Sequence, residues 1–437
     1  MGNELLEKYV LLRHRDVENI HKIEVYMANE GYVGLKKALK ELKPEDVMNE
    51  VKASGLRGRG GAGFPAGVKW SFIPKNIFPK YVVVNADESE PGTFKDREIM
   101  EYNPHQFIEG VILCAYAVGA ETAYIYGRGE FKPVFVTLQQ ALDEAYAQGF
   151  LGKNILGSDF SLDIYLHLGA GAYICGEETA LLSSLEGQLG QPRSRPPFPA
   201  VEGLYAKPTV VNNVETLTNV PPIIAYGANW YRQYGTEKSP GSKIFSLSGR
   251  VNRPGNYELP LGTSIRYLIE ECGGGIIGGK AVKGILPAGA SSSIMGGDQL
   301  DVAMDYEAMA AAGTMLGSAS FIILDETIDA VWAAEKNVKF FKHESCGKCS
   351  PCREGTHWLA GVYHKLRQGR GSKADVELLS AIIGQMEGNC FCLLGEFVVP
   401  GVRTSLTLFK DEYEALARDE NEVRAKQPEK NLVHMYL

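Results

Sequence analysis

Long apolar runs are missing from this chain. The best stretch, Phe107 to Tyr126, is interrupted by Glu109 and Glu121, so no segment has the uninterrupted length of a membrane span. Surplus positive charge is missing too. Lys and Arg number 45 against 53 Asp and Glu, a net charge of −8. Phosphate-backbone binding wants clustered cations, so nucleic acid is not an expected partner. The opening Met-Gly-Asn-Glu-Leu-Leu-Glu-Lys has neither a secretory h-region nor an Arg-rich transit pattern. Clustered thiols without a signal peptide point to a reducing cytosol. Association with a membrane would then need other subunits. Internal repeats are also lacking. What remains is the composition of an ordinary soluble protein, 45% hydrophobic and 22% charged, whose 437 residues suffice for two to four domains.

Against these absences, the cysteines stand out. Cys346, Cys349 and Cys352 lie in Glu344-Ser-Cys-Gly-Lys-Cys-Ser-Pro-Cys-Arg-Glu-Gly-Thr356, and Cys392 opens Cys392-Leu-Leu-Gly-Glu396. Three thiolates at Cys-x-x-Cys-x-x-Cys spacing, with a fourth from a remote segment, suit a cubane iron–sulfur cluster. Zinc competes, but structural zinc sites usually come as two separated pairs. A disulfide is the third reading. Cys390 rivals Cys392 for the fourth position; Cys392 is preferred because it opens the Leu-Gly-Glu turn. Cys114, Cys175 and Cys272 are isolated, and Cys114 and Cys272 read as small buried apolar residues. A cluster carries one electron at a time, so electron transfer is the implied chemistry.

The remaining sequence divides by pattern. Residues 1–54 are polar and helical, with Pro44-Glu-Asp-Val-Met-Asn-Glu-Val-Lys-Ala predicting a helix with an acidic first turn. From 55 to 240 strands and helices alternate. Strands are predicted at 81–84, 123–126 and 161–168, and helices from Asn103-Pro104, over 133–148 and over 177–185. That alternation predicts an α/β layer structure. Residues 241–326 read as a hairpin over 243–249 and 257–261, a helix over 263–271, and strands at 283–287 and 319–324. One helix crossing a small mixed sheet resembles a β-grasp (ubiquitin-like) unit. Residues 327–437 are helical, with segments at 328–342, 354–368, 373–386 and 399–418. These predict a C-terminal four-helix bundle carrying the cluster at one end.

Four polar turns sit on the α/β segment. Gly58-Arg-Gly-Gly-Ala-Gly63 matches G-x-G-x-x-G but follows a helix, not the strand a dinucleotide fingerprint requires. Its glycines still let backbone N–H groups approach a phosphate or a ring, and Arg57, Arg59 and Lys69 add positive charge nearby. A purely structural glycine turn is the alternative. Asn85-Ala-Asp-Glu-Ser-Glu-Pro-Gly92 follows a strand's carboxyl end, where ligands bind in parallel sheets. Gly169-Ala-Gly-Ala-Tyr-Ile-Cys-Gly-Glu-Glu178 does the same, and Val211-Asn-Asn-Val-Glu-Thr216 offers amides and a hydroxyl at a helix start. Any one of these sets is as consistent with helix capping as with a ligand. Phe64, Phe72 and Phe198 fit either a core or a stacking platform.

Taken together and in this order, these motifs and the cysteine segment resemble the NADH-binding flavoprotein subunit of respiratory complex I, the F-type or 51-kilodalton-type subunit. The resemblance covers about residues 30 to 420. It implies a Rossmann-like FMN-binding domain, FMN, a [4Fe-4S] cluster and oxidation of NAD(H) as substrate. By motif, Gly58, Gly60, Gly61, Lys69, Asn85, Asp87, Glu88, Tyr173, Gly176, Glu177, Glu178, Val211, Asn212, Asn213 and Thr216 would bind FMN or lie against it. Phe64, Phe72 and Phe198 would stack on the adenine of NADH. Glu90 and Glu178 would border the nicotinamide nucleotide, and Arg195 would supply a cation near it. Cys346, Cys349, Cys352 and Cys392 would be the cluster ligands.

Hydride passes from nicotinamide to flavin in that family, so no protein nucleophile or general base is assigned. Glu90, Glu177 and Glu178 are expected to hydrogen-bond hydroxyls and limit affinity for the anionic nucleotide. The one-electron path needs a next centre, expected on a small thioredoxin-like [2Fe-2S] subunit among the peripheral-arm subunits. The expected location is cytoplasmic, at the inner face of the cell membrane through those subunits. NAD-dependent hydrogenases and formate dehydrogenases carry similar diaphorase subunits and form one alternative. A metal-stabilised scaffold without enzymatic activity forms the other.

Overall fold

The computed structural model describes residues 10–419; residues 1–9, which include the stretch read for a leader, and 420–437 lie outside the described residues. Two compact units emerge. One comprises residues up to Gly279 with Leu286–Gly289 and Asp298–Ile323; the other comprises Lys280–Ile285, Ala290–Gly297 and the residues after Ile323. The boundary between these units runs through residues 241–326, which the sequence pattern marks as one domain, so the expected four-part division does not map onto the two units.

The first unit is organised by a parallel sheet of β1 (Tyr81–Ala86), β2 (Thr122–Gly127), β3 (Asp163–Leu168) and β4 (Thr209–Asn213), in the order β3-β2-β1-β4. Val82, Val83 and Val84 are fully buried, which explains the unbroken β-branched run. The backbone walks from β1 to β3 in one direction and returns on the other side of β1 for β4. The strand order therefore switches between β1 and β4, and Asn85 and Asn213 are paired at its carboxyl edge.

Helix Pro44–Ser54 begins at its proline, with Glu45 and Asp46 in the first turn, and stops at Gly55 in a left-handed conformation (φ 70°). Helix Pro104–Val118 contains most of the long apolar stretch. At 15 residues it is a core helix, buried on nearly all sides. Glu109 sits inside because Tyr26 Oη donates to it at 2.6 Å and the amides of Tyr32 and Leu35 at 2.9 Å. No helix among the described residues is long and apolar enough to cross a membrane. Further along, β5 (Ser242–Gly249) pairs antiparallel with β6 (Gly255–Pro260) and parallel with β9 (Ser320–Asp325) over residues 320–323.

In the second unit, β7 (Val282–Leu286) pairs antiparallel with β8 (Met295–Gly296). Helices Ala330–Glu344, Ser350–Arg367, Lys373–Met386, Leu393–Leu408 and Lys410–Leu416 follow. They bury Val338, Phe341, Leu359, Tyr363, Leu379, Met386, Val398 and Val402. The helix expected over 399–418 instead starts at Leu393 and breaks at Phe409. Buried Leu394, Val398 and Val399 extend the apolar face through Pro400, so packing outweighs the proline's missing donor.

Candidate active site and cysteine centre

The glycine loop lies between helices Pro44–Ser54 and Ala66–Ser71 and ahead of β1, so it is not the first turn of a βαβ unit. Its neck is closed by Gly58 N–H donating to Phe64 O and Ala66 N–H to Leu56 O, both at 2.8 Å. Two glycines are required by φ, Gly61 at 156° and Gly63 at 63°. Gly60 is required by contact, since a Cβ there would lie 2.9 Å from Cβ of Asn213. A Cβ on Gly61 would meet nothing within 4 Å. Among the described residues no acceptor is paired with the Gly60 or Gly61 amide. The loop thus rests on the end of β4 and offers open donors, a cradle that fits a phosphate.

The other turns gather at the carboxyl edge of the sheet. Asn85 Nδ2 donates to Gly176 O at 2.8 Å and so joins the β1 and β3 turns. Tyr173 Oη donates to Glu90 at 2.7 Å across the same two turns. Glu177 is the N-cap of helix Glu178–Leu185 and accepts from the amides of Thr179 and Ala180. Glu178 pairs with Lys69 at 2.9 Å and with Arg195 at 3.4 Å, and Arg195 also pairs with Glu177. The acidic pair is therefore largely offset by two cations. Phe64 and Phe72 are 47% and 53% exposed with ring centroids 6.1 Å apart, and Phe198 is 57% exposed. None of the three is core.

Other expected residues turn inward. Both Glu88 oxygens accept from the start of helix Lys95–Tyr102, at Asp96 N (2.8 Å) and Arg97 N (3.0 Å), and burial pushes its carboxyl up to about 7. Asn213 caps helix Val214–Thr218 by accepting from Glu215 N, while its amide donates to Asp96. Thr216 Oγ1 accepts from Arg59 N at 2.8 Å. Val211 and Asn212 are buried in β4. Arg57 and Arg59, expected as positive charge beside the loop, point elsewhere. Arg57 meets Glu307 and the Tyr306 ring, and Arg59 is fully buried with its guanidinium on Tyr231 Oη and Pro240 O.

Five cysteines gather in the second unit. Cys346 lies in the turn before helix Ser350–Arg367, Cys349 is that helix's N-cap, and buried Cys352 is in its first turn. Cys390 and Cys392 lie in the connection to helix Leu393–Leu408, whose N-cap is Cys392. Phe391 N–H donates to Cys349 Sγ at 3.4 Å, which draws this connection onto the first. Burial raises the Cys352 thiol; Ser345 Oγ, 3.3 Å away, works against this, and neighbouring Cys349 and Cys346 add to it. Cys390 Sγ donates to Met386 O at 3.4 Å. A Cβ on Gly395 would collide with the Cys390 sulfur and lie 3.0 Å from Cβ of Cys352. No group of three or more His, Cys, Asp or Glu among the described residues is arranged to hold a single ion. A cubane brings its own irons and sulfides and asks its thiolates to stand further apart. Cys349 and Cys392 occupy helix N-cap positions, where the helix dipole favours the anionic thiolates a cluster needs.

Comparison with known proteins agrees with both centres. The family model described as Nuo51 FMN-binding domain matches residues 51–222, the SLBB domain matches 244–289, and the NADH-ubiquinone oxidoreductase-F iron-sulfur binding region matches 332–416. The F 2 subunit of NADH-quinone oxidoreductase of Rhizobium meliloti (strain 1021) is 51% identical over 93% of this chain and 97% of its own. The F subunit of the same enzyme of Mycobacterium tuberculosis (strain ATCC 25618 / H37Rv) is 52% identical over 92% of each. The chain belongs to the F-subunit family of NADH-quinone oxidoreductase. Its fold is also similar to a solved structure, NAD+-reducing [NiFe]-hydrogenase in the H2-reduced state, with TM-score 0.83, 33% identity, and coverage of 95% of this chain and 67% of that one.

Several residues of this F-type protein escape sequence reasoning. Arg128 follows the carboxyl end of β2. It donates to Glu88 O at 2.7 Å and pairs with Glu130, linking the β2 turn to the β1 turn. The available signal is a third βα turn, Gly127-Arg-Gly-Glu130. Lys95, Asp96, Glu215 and Lys243 form a buried charge cluster beneath the glycine loop. Glu215 lies inside the motif Val211–Thr216, yet only its neighbours carry an expected role.

Proposed function

We propose that this chain is the NADH-oxidising flavoprotein subunit of an NADH:quinone oxidoreductase. Its parts would be an N-terminal helical segment (1–54), an FMN- and NADH-binding Rossmann-like domain (55–240), a β-grasp domain (241–326) and a four-helix bundle with the cluster (327–437). The observation that carries the reading is the gathering of the β1, β3 and β4 turns and the open glycine loop at one strand-order switch. When bound, FMN and a [4Fe-4S] cluster supply hydride acceptance and one-electron carriage.

The chain's own residues bind and orient. Gly60 and Gly61 would offer amides to the flavin phosphate. Asn85, Asp87, Tyr173 and Gly176 would line the isoalloxazine and ribityl side of the site. Lys69 and Arg195 would hold Glu178 and Glu177 so that these accept from hydroxyls without presenting bare charge to the nucleotide. Phe64, Phe72 and Phe198 would receive the adenine, and Glu90, fixed by Tyr173, would border the nicotinamide. Cys346, Cys349, Cys352 and Cys392 would hold the cluster, with Cys390 packed behind Gly395. A small thioredoxin-like [2Fe-2S] subunit is the proposed partner, and the complex would sit at the inner face of the cell membrane.

A diaphorase role in a NAD+-reducing hydrogenase is the second reading, supported by the structural likeness. Matches along 97% of the Rhizobium meliloti relative, against 67% of the hydrogenase, favour the first. The test is an anaerobic absorption spectrum of the purified protein before and after NADH, with iron, acid-labile sulfide and FMN assayed. Flavin bands that bleach with NADH are expected. Folded protein with no flavin, iron or sulfide would sink the proposal.

A further inference from the structure

We infer that Lys243, on β5 and outside the parallel sheet, is a positioning residue that turns the Gly60 amide outward as an anion donor. The inference rests on the glycine loop being the cradle of the flavin phosphate. A trans peptide is planar, and its C=O and N–H point in opposite directions. Lys243 Nζ donates to Arg59 O at 3.3 Å from the buried side of the loop. The N–H of that same peptide belongs to Gly60, so it must face away from Lys243. That side is the open one.

The peptide before it is pinned at both ends. Tyr306 Oη donates to Gly58 O, and Arg59 N–H donates to Thr216 Oγ1, each at 2.8 Å. Two successive peptide planes therefore have three of their four polar groups held by protein, and the fourth is the Gly60 N–H. Asn213 beneath Gly60 blocks the loop from collapsing further.

Lys243 is itself held in place. Glu215 Oε2 lies 2.7 Å from its Nζ, and Glu215 Oε1 accepts from the adjacent Ile244 amide at 2.9 Å. Lys95 holds the same carboxylate at 2.9 Å and reaches Asp96 at 2.7 Å. Lys95, Glu215 and Lys243 have at most 1% of their side chains exposed. A buried ion network that ends on a backbone carbonyl has a positional role, because burial of the ions alone stabilises little. Asp96 and Glu215 balance Lys95 and Lys243 within the network, so its effect on the loop is one of position and not of surplus charge.

The experiment measures FMN and riboflavin affinity side by side on the full-length protein, because the two ligands differ only in the phosphate. Lys243→Met alone leaves Glu215 and Asp96 sharing Lys95 as their buried ammonium partner, so the test variant is the double Glu215→Gln/Lys243→Met, with Lys243→Arg as the conservative control. The wild type is expected to prefer FMN. The double variant should lose about tenfold or more of that preference, with riboflavin affinity held within about twofold, and Lys243→Arg should keep most of it. An unchanged preference in the double variant overturns the role of Lys243, as does an equal weakening of both ligands. A wild type that binds FMN no better than riboflavin overturns the phosphate cradle itself, and the inference falls with it.

Discussion

Four helix starts border the two candidate centres, and they are built differently. In the α/β unit, Glu177 and Asn213 cap their helices through side chains that accept from backbone amides. In the second unit, Cys349 and Cys392 occupy the same positions with no side-chain cap bond. The contrast extends to the surroundings. Lys95, Asp96, Glu215 and Lys243 are buried but satisfy one another at 2.7–2.9 Å. The sulfurs of Cys349, Cys352 and Cys390 make weak contacts at 3.3–3.4 Å. A thiol is a poor acceptor, and its strongest bond is to a metal once deprotonated. The proposed flavin site is therefore finished by folding, whereas the cysteine centre would be finished by the cluster proposed for it.

The largest effect should come from attacking the second half of that contrast. Cys349→Ser is expected to abolish the cluster and to lower amide protection across 345–396 by about 5 kcal/mol or more, because binding free energy at such sites is folding free energy. Protection in β1 and β2 should stay at wild-type levels. Hydrogen exchange on the two proteins reads this directly, and equal loss in β1 would erase the distinction. Next in size is the buried ion network. Glu215→Ala leaves two buried ammonium groups without their shared carboxylate, and chemical denaturation should show a loss of about 3–5 kcal/mol. Iron content should not change. A loss under about 1 kcal/mol would mean the network is already broken by water.

How much of this is legible in the sequence depends on how local each cause is. Helix Pro44–Ser54 and the run Val82–Val84 can be read because cap, proline and β-branched spacing lie within a few residues. β4 escapes, since Thr209-Val-Val-Asn-Asn213 is short and its last residue is also a helix cap. Helix Ser350–Arg367 starts four residues earlier than expected, inside what reads as a ligand loop, because Ser350 and Pro351 make good first-turn residues. That the two cysteine segments come together is legible from spacing. The direction of Arg57 and Arg59 is not, because their partners Glu307, Tyr231 and Pro240 lie 172 to 250 positions away. Lys243 escapes for the same reason, with nothing in its strand announcing a carbonyl 184 positions earlier.

Protonation offers a third way to sharpen the comparison. His105 is fully buried between Tyr32 Oη at 3.0 Å and Glu144 at 3.1 Å, and burial pushes its imidazole down to about 4. A base with a depressed folded pKa contributes stability above its unfolded pKa, near 6.5, and loses it as pH falls toward the folded value. Wild type should therefore lose about 3 kcal/mol relative to His105→Gln between pH 6.5 and 4. Taking the difference from the variant cancels Glu88, whose raised carboxyl acts in the opposite sense. A flat difference would show that His105 is charged in the fold.

The smallest effect is also the most selective. Phe72 is more than half exposed and touches Phe64, so removing its ring costs the fold little. Stacking on a nucleobase is worth about 1–3 kcal/mol per ring, so Phe72→Ala should raise the KM for NADH by about tenfold. Flavin content and melting temperature should not move. That separation follows from the contrast above: a platform left bare by a finished fold can be removed without loosening what lies under it. A drop in flavin content would place Phe72 in the scaffold of the FMN site, and the adenine platform would then have to be sought around Phe198.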